Sequence, residues 1–339
     1  MALELEVNLA SVIIPTRNRA GFLARCLESL TRQTLPIESF EVLVVDNGST
    51  DHTSDVAKHY ASFLQLIYVS APDPGLHVGR HQGMWRANSD VLMFTDDDIE
   101  AEPGWVEAVA QTFVNSDVAL VGGNNYPLFE EAPPAWLLRL WERPVYKGKA
   151  LPRLSVLNFG EGMFEINPGY VWGCNFSIRR DVLLEAGGFH PDGVPKDQLR
   201  YRGDGETHVS DFVRKSGLLT LFNSRASVRH VVPASRMTKA YFEQRAYAQG
   251  ISDSFAEIRR NGGLNKSLST NVGRQLARLR SALGTCVRSL ARAGDAVEQE
   301  LLAVRRAAGQ AHRRGYTFHQ REVRADPTLL AWVLREHYW

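Results

Sequence analysis

The sequence has little cysteine, almost no net charge and no long apolar run. Its three cysteines, Cys26, Cys174 and Cys286, are scattered through 339 residues. No two have the spacing of a metal or redox pair, and an odd number of scattered thiols fits a reducing compartment. With 39 Lys and Arg against 38 Asp and Glu, the net charge is +1 at pH 7. No global field therefore selects nucleic acid as a partner, and any basic feature must be local. No stretch approaches the roughly 18 uninterrupted apolar residues of a membrane-spanning helix. Residues 1–10 carry acids and no apolar run, so they do not read as a signal peptide. A cytoplasmic protein is expected, with contact at a membrane surface left open. What is present is ordinary for a globular chain: 44% apolar and 23% charged residues, enough for one large or two modest domains.

The first 125 residues alternate strands with helices. Residues 9–15, 41–46, 64–69, 91–95 and 118–122 read as five buried strands. Between them lie helical stripes: Leu23, Leu27 and Leu30; then Val56, Tyr60 and Phe63 behind a cap at Ser49 or Asp51. Residues 78–87 read as a helix, and Pro103 opens another that carries Val106, Val109 and Phe113. Continuous apolar strands separated by helices imply a mostly parallel sheet covered on both faces. Residues 124–172, rich in Pro and aromatics, show few regular periods and are expected to wrap the sheet edge. Regular structure resumes to about Ile258, and long helices follow. The expected division is a catalytic domain over 1–260, in halves 1–123 and 124–260, and a helical extension over 261–339.

Asp96-Asp97-Asp98 follows the fourth strand. In open parallel sheets, ligands bind outside the carboxyl ends of the strands. Three adjacent acids repel one another unless a cation or donor group joins them. A hard divalent ion, Mg²⁺ or Mn²⁺, takes one or two carboxylates and leaves its other positions to water and phosphate oxygens. The bland alternative is an acidic turn that caps the next helix.

The ordered motifs are more specific. Ser11-Val12-Ile13-Ile14-Pro15-Thr16-Arg17-Asn18-Arg19, Val44-Val45-Asp46-Asn47-Gly48-Ser49-Thr50-Asp51, Thr95-Asp96-Asp97-Asp98 and Gly187-Gly188-Phe189 resemble the landmarks of family-2 inverting glycosyltransferases over about residues 8–255. The resemblance implies an α/β GT-A fold. It also implies a nucleoside-diphosphate sugar donor, a hydroxyl acceptor (a glycan or lipid-linked saccharide) and Mn²⁺ or Mg²⁺. By this resemblance Pro15, Thr16 and Arg17 border the nucleoside, and Asp46 accepts hydrogen bonds from the base. Asp46 is equally a turn residue before Asn47-Gly48. Asp96 takes the ribose or sugar and Asp98 the metal, with Asp97 in the same donor cluster. Arg80 lies near the donor or on a solvated helix. His230 is a further metal ligand or a structural His, and Arg236 suits the diphosphate.

Trp172-Gly173-Cys174-Asn175 resembles the acceptor loop, with Trp172 either stacked on a sugar or packed in the core. By the same resemblance, most relatives carry a Glu-Asp pair, with the Asp as base, where this chain has Asp204-Gly205-Glu206. Counting back from Gly217 places Glu206 at the base position, with Asp204 the alternative and helix capping the bland reading for both. No Gln-X-X-Arg-Trp motif is present, which favours single addition over polymerisation. Residues 265–293 hold Lys266, Arg274, Arg278, Arg280, Arg288 and Arg292 without an acid, and Arg274, Arg288 and Arg292 project opposite a stripe that includes Leu276, Leu283 and Leu290. That helix suits an anionic membrane, the catalytic domain or a second subunit. Residues 329–339 have Leu330, Trp332, Val333, Tyr338 and Trp339 to bury. Two rivals remain at this stage. A nucleotidyltransferase is disfavoured by the single Gly in residues 16–21, and a non-catalytic glycan-binding scaffold has only Gly205 in its support.

Overall fold

The computed structural model describes residues 9–264 and 295–339. The basic helix expected over 265–293 lies outside the described residues, as does Cys286. Strands β1 (Ala10–Thr16) and β2 (Phe40–Asp46) are buried at every position, as continuous apolar runs in a doubly covered sheet must be. β1 pairs in parallel with β2 and with β4 (Val91–Phe94), and β2 pairs in parallel with β3 (Leu66–Ser70). Helices α1 (Ala20–Leu30), α2 (Thr53–Tyr60) and α3 (Leu76–Arg86) connect these strands. Thr16, Asp46, Ser70 and Phe94 therefore end at one edge of the sheet, side by side.

The fifth expected strand, β6 (Val118–Gly122), does not join that row directly. β12 (Phe176–Arg179) lies between β4 and β6, antiparallel to both. β13 (Leu219–Asn223) then pairs in parallel with β6, and β11 (Met163–Glu165) closes the edge antiparallel to β13. The eight-stranded order is β11-β13-β6-β12-β4-β1-β2-β3. The α/β architecture is the expected one, with a mixed second half. α4 (Trp105–Thr112) buries Val106 and Val109 as its stripe requires, and Phe113 is buried just past its end. Phe63, expected on the inner face of α2, lies past the end of that helix and is half exposed; Thr53 and Ala57 are buried instead.

Residues 124–172 are more regular than their composition suggests. They contain β7 (Asn125–Phe129), α5 (Ala135–Trp141), β8 (Pro144–Val145), β9 (Gly148–Leu151), β10 (Val156–Asn158) and β11. With β5 (Ile99–Ala101) and β14 (Val228–Val232), four of these strands build a second sheet, ordered β5-β14-β7-β10-β9-β8. Strands of two to five residues are too short to leave a period of two in the sequence.

The chain forms two compact units. One holds Met1–Glu130, Pro144–Pro233 and Glu336–Trp339; the other holds Glu131–Arg143 and Ala234–Arg335. Helix α8 (Lys239–Arg260), placed from composition with the acceptor half, packs instead along α9 (Ala296–Ala325) in the second unit. α6 (Arg180–Glu185) and α7 (Thr207–Lys215) belong to the first unit, and α10 (Pro327–Val333) to the second, where Leu329 and Val333 are buried. Two glycines allow the α8–α9 contact. A β-carbon on Gly250 would enter the His312 carbonyl, and one on Gly315 would enter the Tyr247 carbonyl. Ala246, Ala308 and Ala311 pack beside them, and Ser254 Oγ meets His319 Nδ1 at 2.8 Å inside the pair. Among the described residues no helix is long and apolar enough to cross a membrane.

Because backbone stands where the new side chain must go, Gly315→Val is expected to destabilise the helix pair. The expected loss is about 3 kcal/mol, the upper end of overpacking costs. A lower urea midpoint followed by helix ellipticity checks it.

Candidate active site

The acidic triplet follows β4 and leads into strand β5, so it does not cap a helix; α4 starts later, behind Gly104. Asp97 and Asp98 are buried, while 30% of the Asp96 side chain is open. Their charges are met from distant segments. Thr16 Oγ1, at the end of β1, donates to Asp97 Oδ2 at 2.7 Å. Arg19 pairs with Asp97 at 3.0 Å and with Asp98 at 2.7 Å. Arg80 reaches Asp96 at 3.7 Å. These partners do not cancel the strain. Burial pushes Asp97 up to about 7, with Arg19 opposing and Asp98 adding. Burial also raises Asp96, against Arg80 and with Asp98. Such shifts mark carboxylates that a further cation would relieve.

The second sheet brings in the imidazole. β14 runs antiparallel to β5 with His230 opposite Ile99, and the Val231 N–H donates to the Asp98 carbonyl at 2.9 Å. His230 Nε2 then lies 3.3 Å from Asp98 Oδ1. Donor atoms of Asp96, Asp98 and His230 all fall within 4.8 Å of one another. Two carboxylates and an imidazole fit a divalent cation, and the imidazole suits Mn²⁺ better than Mg²⁺.

Arg80 links this cluster to a second one. It sits on α3 with 2% of its side chain exposed, its guanidinium 5.1 Å from the Phe189 ring centroid. From there it reaches Glu206 Oε2 at 3.4 Å. The Gly173 N–H donates to Glu206 Oε1 at 3.2 Å. Gly173 is required here, because a β-carbon would overlap the Arg80 guanidinium. Glu206 immediately precedes α7 but makes no side-chain capping bond. Asp204 is turned away to His190 Nδ1, at 2.5 Å. Between them Gly205 has φ +58°, a left-handed conformation that favours glycine. The departure from the Glu-Asp pattern thus has a backbone reason.

Residues 11–185, just over half the chain, match the sequence model of Glycosyl transferase family 2. The chain belongs to this family. Validoxylamine A glucosyltransferase of Streptomyces hygroscopicus is 34% identical over 217 residues, 58% of this chain and 51% of that enzyme. The chain thus spans about half the length of that relative. Glucosyl-dolichyl phosphate glucuronosyltransferase of Haloferax volcanii is 25% identical over 259 residues, 73% of this chain and 77% of that protein. A mannosyltransferase from Pyrobaculum calidifontis, solved in complex with GDP-Man and Mn²⁺, superposes with a TM-score of 0.51 at 19% identity, covering 97% of this chain and 85% of that one. This likeness is one of fold, the expected GT-A fold.

The other expected site residues of this family-2 chain divide by placement. Pro15 and Thr16 are buried at the end of β1, and Arg17 is exposed just beyond it. Asp46 Oδ1 accepts from the Ser49 N–H at 2.7 Å, so it does form the turn. Its Oδ2 accepts from Tyr68 Oη at 2.5 Å. Burial, then Asp46, pushes the Tyr68 hydroxyl up to about 12. Trp172 is half buried against the core, its Nε1 donating to the Gly169 carbonyl at 3.0 Å.

The side chains of Cys174 and Asn175, expected on the acceptor side, belong to the interior. Cys174 Sγ points at the Ser155 carbonyl, and Asn175 joins Trp105 Nε1 to the Ala226 carbonyl. Arg236 lies in the second unit, on the turn Ala234–Met237. The sequence assigned no site role to Arg19, Tyr68, Phe189 or His190. Arg19 and Phe189 stood within motifs, whereas nothing local marks Tyr68 or His190.

Behind Arg80, burial lowers His77 to about 4 and His81 to about 3 from an ordinary 6.5. Both are held neutral in the folded chain and take up a proton on unfolding below 6.5. Their contribution to stability is complete above 6.5 and is lost as pH falls toward 4 and then 3. In His77→Gln the melting temperature should therefore fall less steeply with acid over that interval than in the wild type. An equal slope contradicts the assignment.

Proposed function

We propose that this protein transfers one sugar from a nucleoside-diphosphate sugar to an acceptor hydroxyl, with inversion and with help from a divalent cation. The observation that carries the reading is the meeting of Asp96, Asp98 and His230 donor atoms within 4.8 Å, joined through Arg80 to Glu206. Asp98 and His230 would hold Mn²⁺ or Mg²⁺, with Asp96 facing the ribose or sugar. When bound, such an ion neutralises charge that develops on the departing diphosphate. The nucleoside would lie along the ends of β1 and β2, beside Pro15, Thr16, Arg17 and Asp46.

Glu206 is the proposed base. Its carboxylate is oriented by Arg80 and the Gly173 N–H, which leaves 24% of the side chain open to an incoming hydroxyl. Inverting displacement needs one carboxylate to take the hydroxyl proton as the oxygen attacks. Asp204 is less suited, because His190 already occupies its Oδ1. Trp172 and Gly173 would border the acceptor. Relatives named for validoxylamine A and for glucosyl-dolichyl phosphate support a glycan or lipid-linked hydroxyl. Membership of this family disfavours the nucleotidyltransferase reading.

A thermal-shift screen of UDP and GDP with and without Mn²⁺ tests the reading. A ligand at 100 times its dissociation constant stabilises the folded state by about 2.7 kcal/mol. Asp98→Ala should lose the Mn²⁺-dependent part of the shift and all transfer. Glu206→Gln should keep the shift and lose transfer by about 10²–10⁴-fold. Normal turnover by Glu206→Gln removes the base assignment.

A further inference from the structure

Residues 336–339 belong to the first unit, and two of them touch His81, which adjoins Arg80 in sequence, and His190, which bonds to the residue before Glu206. Trp339 meets His81 edge-on, with centroids 5.4 Å apart at 83°, and meets Trp85 in the same way at 5.7 Å. Its other contact is with His337, stacked at 4.7 Å. Gly188 forms its seat, since a β-carbon there would enter the indole. Gly187 and Gly188 both have positive φ, +84° and +75°. The Gly-Gly-Phe turn is thus needed for its backbone shape and for the space it leaves to Trp339. Tyr338 meets His190 edge-on, with centroids 5.4 Å apart.

The His81 and His190 contacts lead on to site groups. His81 Nε2 accepts the Phe189 N–H at 2.9 Å, and the Phe189 ring lies under the Arg80 guanidinium. His190 stacks on His208 at 3.8 Å, holds Asp204, and donates its own N–H to the Gly205 carbonyl at 3.3 Å. Glu206 is the next residue. The loop is tied once more by the Gly203 N–H to the Pro191 carbonyl, at 2.7 Å, and by Arg202 to Asp192, at 2.7 Å.

We infer that Tyr338 and Trp339 are positioning residues that fix the geometry of Arg80 and Glu206. Trp339 acts through His81 and Phe189, and Tyr338 acts through His190 and the Gly205 backbone. The consequence for turnover rests on the role proposed for Glu206; the consequence for local order does not. Of the donor-side groups, Asp97, Asp98 and Asp46 are held by contacts of their own, Thr16 to Asp97, Arg19 to Asp98 and Tyr68 to Asp46. They should be unaffected.

Hydrogen exchange on the full chain tests the inference with Trp339→Ala, Tyr338→Ala and Tyr338→Phe. In the two alanine variants, amides of residues 187–190 and 203–207 should exchange up to about tenfold faster, the scale of one aromatic pair. Amides of β1 and β2 should not change. Tyr338→Phe keeps the ring and should restore wild-type exchange. With a sugar ester of the nucleoside diphosphate found by the UDP and GDP screen as donor, kcat for release of that diphosphate should fall in the alanine variants and recover in Tyr338→Phe. The nucleotide-induced thermal shift should stay constant throughout. Unchanged exchange at 203–207, or equal acceleration in β1 and β2, overturns the inference. Faster exchange with unchanged turnover overturns the positioning role. Failure of the Glu206 assignment shows separately, as normal turnover by Glu206→Gln.

Discussion

Three carboxylates on consecutive residues repel one another, and the chain keeps them together by drawing counter-charges from far along the sequence. Arg19 lies 78 and 79 positions before the two acids it pairs with, and its guanidinium spans Asp97 and Asp98. Arg80 comes from α3, buried to 2% exposure, and divides itself between Asp96 and Glu206. Thr16 adds a hydroxyl. The balance is incomplete, since Asp96 and Asp97 both remain raised by burial. A site left short of positive charge in this way would be relieved by a cation, as the proposed function requires.

The sheet topology brings those charges together. Parallel pairing of β4, β1 and β2 aligns the ends that carry Asp96, Thr16 and Asp46. Antiparallel β12 then places the segment 172–175 directly before the strand that pairs with β4, so Gly173 reaches Arg80 and Glu206. The second sheet has a comparable effect: pairing of β5 with β14 puts His230 beside Asp98 although 132 positions separate them in sequence. A one-residue slip in that register would turn His230 to the opposite face.

Much of this was legible in the sequence. The buried strands, the acidic triplet and the order of motifs carry both the family and the α/β fold. The remainder was not, for physical reasons. Strand order is set by long-range pairing, so the insertion of β12 left no local mark. Strands as short as Pro144–Val145 cannot show a period. Asp204 and Glu206 are indistinguishable by composition, and only the His190 contact on one and the Arg80 contact on the other separate them. Gly205 looked like a missing acid until its positive φ gave it a structural reason. Cys174 and Asn175 sat in a motif expected to face the acceptor, yet their side chains satisfy buried partners.

The central claim is that the Asp98–His230 juxtaposition is a cation site serving a nucleoside diphosphate. Anomalous scattering from crystals grown with Mn²⁺ and a nucleoside diphosphate tests it most directly. The expected result is a manganese peak bonded to Asp98 and His230, with the diphosphate on its open side. A peak elsewhere, or a bound nucleotide with no metal at these two residues, contradicts it.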